Sequence, residues 1–326
     1  VAARVALRSL ANLAAGRPIC VSFEVTHSCP ADCLHCDKGG MKPREEHLAP
    51  ADYRRLAGEL RPAVVQLSGG EPLTRRDLEE VARAVKRPGG APLVICVTNG
   101  WLLDERRYDS LLAAGVDLFS ISLDFPDGRH DGFRRIPGLY AKLDALVPRL
   151  AGHGLGNLAL NTALTRANFA EIPALVANAE RWGVKISFSA YSALRTGNRD
   201  YCIERPEDLA LLARHFDFLR DEHGRTGTVL NTPWILENTL RFFERGGHLG
   251  GCRAGIRFLV VRPDGLLNAC SMHPDQRFRT REEAVRGFET RDSCDECFVA
   301  IRAGTERPLG RLALDSLGTW RSFLAR

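Results

Sequence analysis

Cys29-Pro30-Ala31-Asp32-Cys33-Leu34-His35-Cys36 sets three cysteines at offsets of four and three, directly after an apolar stretch that ends at Val25. A loop with this spacing can aim three thiolates at one metal centre and leave the fourth position without a protein ligand. An open position performs chemistry, whereas four protein ligands make a site that is structural or only passes electrons. On spacing alone, a zinc site of three cysteines with His27 or His35 also fits.

Outward from this loop, the first two thirds of the chain alternate short apolar runs with amphipathic helical patterns. Strands are expected at Cys20–Val25, Ala63–Ser68, Pro92–Val97, Asp117–Leu123, Asn157–Leu164 and Val184–Ala190. Their near-continuous apolar character predicts parallel strands covered on both faces. Between them, Tyr53, Leu56, Ala57 and Leu60 form one apolar helical stripe, and Leu78, Val81, Ala82 and Val85 form another. Thr74 and Asp77 read as a near capping box for the second. Phe169, Ile172, Leu175, Val176 and Ala179 repeat the pattern, and Gly115 and Gly183 stand where helices end. Six strand–helix units predict an α/β fold, a partial (β/α)6 TIM-like barrel, with an open doubly wound sheet as the other solution. Helices at Pro206–Glu222 and Pro233–Arg245 follow, and then a cysteine-rich region.

Ligands of such folds bind at the C-terminal ends of the strands. The cysteine loop follows the first strand, Ser68-Gly69-Gly70-Glu71-Pro72 the second and Thr98-Asn99-Gly100 the third. Ser122 and Asp124 end the fourth, Asn161 and Thr162 lie in the fifth, and Ser189 and Tyr191 close the sixth. Each alone is a plain turn or cap. Together they describe a polar mouth around the three cysteines.

Composition narrows the function classes. The 326 residues are 44% hydrophobic and 26% charged, with a formal net charge of +5 carried by scattered arginines. No basic stripe with interleaved aromatics marks a nucleic-acid reader. No apolar run approaches a membrane span, and Val1–Ala15 lacks the apolar core of a signal peptide. Grouped cysteines in such a chain point to metal or redox chemistry and a cytoplasmic setting rather than to disulfides. Of the ten cysteines, Cys20 and Cys96 lie in strand-like runs as small hydrophobes, and Cys202 is unassigned. Three and four remain.

The four are Cys252, Cys270, Cys294 and Cys297. Cys252-x12-Gly265-x4-Cys270 encloses Phe258–Val261 and Leu266–Ala269 about Arg262-Pro263-Asp264-Gly265, a hairpin pattern. Cys294-Asp295-Glu296-Cys297 then adds a tight pair. A zinc ribbon fits four such cysteines as well as an iron–sulfur cluster does. The tail, Pro308 to Arg326, reads as a closing helix.

The cysteine spacing, Gly69-Gly70-Glu71-Pro72 and Ser122-x-Asp124 together resemble the radical SAM superfamily over residues 19 to 191. The resemblance implies a [4Fe–4S] cluster on Cys29, Cys33 and Cys36, whose open iron is chelated by S-adenosylmethionine. It implies that Gly69, Gly70 and Glu71 receive the methionine amino group. Ser122 and Asp124 would lie near the ribose, Asn161 near the nucleoside and His35 near the adenine. A Gly-x-Ile-x-Gly motif after the fifth strand is missing. The cysteine quartet resembles the twitch domain, a shortened SPASM domain, and implies an auxiliary iron–sulfur cluster, [4Fe–4S] in type. The expected organisation is a helical segment (1–18), the barrel (19–205), a helical connector (206–250) and the auxiliary-cluster domain (251–326).

These resemblances imply an oxidoreductase-type enzyme that forms a 5′-deoxyadenosyl radical and takes hydrogen from a substrate C–H bond. A flavodoxin or ferredoxin would reduce it. A twitch rather than a SPASM pattern, without a peptide-recognition segment before the barrel, favours a small, sugar-like natural-product substrate over a ribosomal peptide. A non-catalytic iron–sulfur or zinc protein is the reading from another class. No nucleic-acid or membrane partner is expected.

Overall fold

The computed structural model describes residues 2–86, 90–289 and 294–308. Helix α1 (Ala2–Ala14) precedes the alternation β1 (Cys20–Thr26), α2 (Pro50–Leu60), β2 (Val64–Gly69), α3 (Leu78–Val85), β3 (Leu93–Thr98), α4 (Glu105–Ala113) and β4 (Leu118–Ser122). Two helices, α5 (Arg129–Arg134) and α6 (Leu139–Ala151), lead to β5 (Leu158–Leu164), α7 (Ile172–Trp182) and β6 (Lys185–Ala190). Then come α8 (Pro206–Arg225), α9 (Pro233–Glu244), β7 (Phe258–Val261), β8 (Leu267–Asn268), α10 (Arg281–Glu289) and α11 (Ala300–Thr305).

All six expected strands form one parallel sheet in the order β6-β5-β4-β3-β2-β1, as the α/β reading of a partial barrel requires. The apolar stripes of α2 and α3 are buried as predicted. Gly183 ends α7 in the left-handed region with φ 70°. Asp77 is the N-cap of α3, but its carboxylate pairs with Arg75 at 2.6 Å instead of closing a capping box. The expected tail helix lies outside the described residues beyond Pro308.

Two features depart from the sequence reading. The cysteine-rich hairpin joins the sheet, for β7 runs parallel to β1 with Cys20 opposite Phe258, and β8 turns back beside β7. Its turn is made by Arg262 N–H on Leu266 O and by Gly265 at φ 82°. Second, of the six expected strands only β1 is buried at every position, as are the added β7 and β8. In β2 to β6, Leu67, Cys96, Phe119 and Ile186 are fully buried beneath helices, while Gln66, Ser68, Ser120, Ser122, Ser187 and Ser189 on the other face are half-buried. One face of the sheet therefore builds the core, and the inner face stays polar and partly open. The free edge of β6 is covered by the segment before α9. Ile186 N donates to Thr228 O at 2.9 Å, and the Asn231 side chain pairs with both backbone groups of Phe188. That removes the edge's unpaired amides.

Candidate active site

The three-cysteine loop is irregular but closely held. Cys29 N donates to Gly40 O and Gly40 N to Ala31 O, folding the loop back on itself. Lys42 Nζ donates to His27 O at 2.9 Å, Gly39 O at 3.2 Å, Lys38 O at 3.3 Å and Gly40 O at 3.4 Å, so one cation gathers four carbonyls. The Glu45 carboxylate accepts from Thr26 Oγ1 at 2.6 Å and His27 N at 2.7 Å. Unpaired carbonyls in such a loop would each be costly if dry, and Lys42 satisfies them together.

Cys29, Cys33 and Cys36 all line one pocket at the strand ends, together with His35, Lys38, Gly70, Asn99, Ser122 and Arg134. Cys29 and Cys33 are buried and Cys36 is exposed. Donors reach each sulfur: Asn99 Nδ2 at 3.8 Å from Cys29, Arg134 Nη1 at 3.9 Å from Cys33, and Lys38 N at 3.5 Å from Cys36. Burial pushes the Cys29 thiol up to about 11, and Cys33 is raised as well, burial outweighing Arg134. Buried thiols of this kind ionise when a metal displaces their protons.

Among the described residues, no three Cys, His, Asp or Glu side chains converge on a position for a single metal ion. His27 is committed elsewhere, with Nε2 2.8 Å from Glu24 and Nδ1 3.4 Å from Glu45. His35 stacks on Phe133 at 4.8 Å, and burial pulls it down to about 4, leaving it neutral. Neither histidine completes a mononuclear zinc site with these cysteines. Three thiols spread around one pocket fit a group larger than one ion.

The Gly-Gly-Glu stretch works mainly as a buckle. A Cβ on Gly69 would lie 2.0 Å from Thr26 O, and one on Gly70 would lie 2.3 Å from Ser28 O. Only glycine lets β2 exit this close to the cysteine loop, where Gly70 N donates to Thr26 O and Glu71 N to Ser28 O. Gly70 reaches the pocket wall. The buried Glu71 carboxylate faces the protein, accepting from Thr98 Oγ1 at 2.7 Å, Asn99 N at 2.7 Å and Leu73 N at 3.1 Å. Burial, opposed by these bonds, still raises Glu71 to about 7. Through it the ends of β2 and β3 are locked together, and Asn99 is aimed at Cys29.

Ser122 opens onto the pocket. Asp124 is fully buried and accepts from Arg134 Nε at 2.6 Å and Ala163 N at 3.2 Å, so it orients the arginine rather than facing the pocket. Asn161 stands opposite Ser122 on β4 and Ser187 on β6, on the half-open inner face but outside the pocket lining. Arg134 and Lys38 are absent from the site read in sequence, and Asn99 entered it only as part of a strand-end turn without a role at Cys29. Thr98-Asn99-Gly100 was visible as a strand-end turn, but nothing in spacing ties Arg134 to Asp124 ten residues earlier. Lys38 is buried against Glu24 of β1. Burial would raise Glu24, but the His27 hydrogen bond and the Lys38 charge hold it near 2.

The other four cysteines gather in a separate apolar cluster with Ala254, Phe258, Met272 and Ile301. Cys270 and Cys297 are buried, and Cys252 and Cys294 are half-buried. Cys20 of β1 packs into the same cluster, and burial raises its thiol to about 12. Cys270 and Cys297 act on each other, an interaction that holds Cys297 down and Cys270 up. Buried Arg302 adds its charge beside Cys297 and Cys252 and donates to Leu249 O and Gly250 O. Four thiols and a fixed cation suit an anionic thiolate cluster.

Comparison with known proteins gives the family and the fold. The model of a family described as the Radical SAM superfamily matches residues 23–179. An AdoMet-dependent heme synthase of Methanosarcina barkeri is 30% identical over 297 residues, 82% of this chain and 81% of that one. A PqqA peptide cyclase of Gluconobacter oxydans is 30% identical over 263 residues, 78% of this chain and 70% of that one. The crystal structure of Streptococcus suis SuiB bound to S-adenosylmethionine shares the fold, with a TM-score of 0.65 at 18% identity, over 85% of this chain and 66% of that one.

Proposed function

The chain belongs to the radical SAM superfamily, and on that premise we propose that it oxidises or bonds a small, polar, sugar-like natural-product substrate after hydrogen abstraction. Family membership implies a [4Fe–4S] cluster and S-adenosylmethionine. When bound, these supply one electron to a sulfonium and thereby a 5′-deoxyadenosyl radical that takes hydrogen from a C–H bond.

The observation that carries the reading is the convergence of Cys29, Cys33 and Cys36 on one pocket with Gly70, Ser122 and Arg134. The three thiols would hold the cluster. Arg134, fixed by Asp124, offers a charge for the cofactor carboxylate, and the backbone at Gly70 offers acceptors for its amino group. Asn161 and the serines of the inner face would bind polar substrate and nucleoside groups. His35, neutral and stacked on Phe133, offers a flat apolar surface for an adenine. The half-buried serine-rich face favours a hydrogen-bonding substrate over an apolar one.

Cys252, Cys270, Cys294 and Cys297 would hold an auxiliary [4Fe–4S] cluster. It would accept the second substrate electron, with the accompanying proton going to water. A flavodoxin or ferredoxin would supply the initiating electron. The kinship with a PqqA peptide cyclase favours one further reading, a ribosomally made peptide as substrate.

Anaerobic reconstitution followed by S-adenosylmethionine and dithionite tests the core of this. 5′-Deoxyadenosine is expected from the native protein and none from Cys33→Ala. An iron-loaded protein that releases no deoxyadenosine would refute the reading. Deuterium carried into deoxyadenosine from labelled sugars, but not from labelled peptides, would favour the small-molecule form.

A further inference from the structure

The outer side of the cysteine quartet carries a groove of about 490 Å³ between α9 and the chain around Cys252. Four arginines line it, Arg241 and Arg245 from the end of α9 and Arg253 and Arg257 from the facing segment. The single acid there, Glu306, is turned inward, accepting from Arg302 Nε at 2.9 Å and Arg253 N at 2.7 Å. Arg245 and Arg253 are exposed and form no ion pair among the described residues. Trp234 and Phe298 lie along the same groove, with ring centroids 6.2 Å apart. Half-buried Cys252 sits between Gly251 and Arg253 at its edge, and Arg302 ties the groove wall at Leu249 and Gly250 to the quartet.

We infer that this groove docks an acidic one-electron carrier protein of the flavodoxin kind, which exchanges single electrons with the quartet; the inference rests on the auxiliary cluster proposed above. The arginines come from two facing walls rather than converging on one point, which matches a distributed acidic face better than a single phosphate. The aromatic pair supplies the apolar centre that such a contact needs. A cluster held by Cys252, Cys270, Cys294 and Cys297 would give up one electron in the transfer. The oxidised flavin of the carrier would take that electron with one solvent proton to become the neutral semiquinone. No bond of this chain forms or breaks.

The test mixes the reconstituted, reduced protein with an oxidised flavodoxin in a stopped-flow experiment, alongside titration calorimetry of the same pair. Semiquinone should form at a rate that falls steeply with salt, because the attraction is screened beyond about 10 Å at 0.1 M ionic strength. Arg245→Glu with Arg253→Glu should slow it by roughly tenfold or more and weaken binding to match. Arg245→Lys with Arg253→Lys should restore most of the rate, and a small uncharged quinone should oxidise every variant equally fast. Wild-type transfer by the charge-reversed protein would overturn the inference. So would tight binding of inorganic phosphate, lost on charge reversal, together with no flavodoxin binding. Calorimetric binding to a protein that assembles no four-thiolate cluster would sink the auxiliary-cluster reading but not the docking surface.

Discussion

The two cysteine sites of this chain are built from opposite materials. The first is a polar loop held by charges: Lys42 on four carbonyls, Glu45 on Thr26 and His27, and Asp124 through Arg134 on Cys33. Its sulfurs face a pocket at the open end of the sheet. The second is a pocket of hydrophobes around Phe258, Met272 and Ile301, with Arg302 as its buried charge. Its four thiols lie in or against that apolar cluster, and none of them lines the strand-end pocket. An open site needs a polar frame, because substrate and solvent reach it. A closed one can be set in the core, where a low dielectric strengthens the hold of a single cation on thiolates.

The largest effect separating the sites should come from their cysteines. Cys33→Ala should abolish deoxyadenosine formation. Cys270→Ala should lower the iron content by roughly half while leaving cleavage of S-adenosylmethionine measurable, since the quartet takes no part in it. If both variants lose cleavage equally, the two sites are not functionally distinct.

Next comes the charged frame. Lys38→Met removes the partner of buried Glu24 and should cost about 3 kcal/mol, read by urea unfolding. Glu24 is held near 2, below its ordinary value, so its contribution is present above about pH 4.5 and is lost as pH falls towards 2. Lys38 is itself lowered, burial outweighing the Glu24 charge, so the pair as a whole gains less than the carboxylate alone implies. In Lys38→Met the acid loss should begin at higher pH. An unchanged acid transition would show that His27 alone holds Glu24.

A smaller effect, about 1–3 kcal/mol, is expected for Gly70→Ala, whose Cβ would press on Ser28 O. Cleavage should fall with it, because the loop must move. A stable, fully active Gly70→Ala would mean that the close approach at this position is not required.

Much of the open site was legible, because strand-end polarity and cysteine spacing are local patterns. Cys29, Cys33, Cys36, His35, Gly70 and Ser122 line the pocket as their positions in the chain imply. What escaped was long-range. Arg134 reaches Cys33 across 101 residues, and Lys38 finds Glu24 only once β1 and the loop are folded together. β7 adds to β1, a pairing that no periodicity announces. The Gly-Gly-Glu stretch was located correctly, but the inward turn of the Glu71 carboxylate depends on Thr98 and Asn99 from the next strand. The quartet gave its membership by spacing, but its apolar setting and the presence of Cys20 beside it came from packing.

The difference between the sites can be read directly by electron paramagnetic resonance of the reduced, reconstituted protein with and without S-adenosylmethionine. If the three-cysteine site is open and the quartet closed, the cofactor shifts one cluster signal and leaves the other unchanged. The shifting signal survives in Cys270→Ala and disappears in Cys33→Ala. A shift that persists in Cys33→Ala, or the absence of any shift in the native protein, would contradict the account.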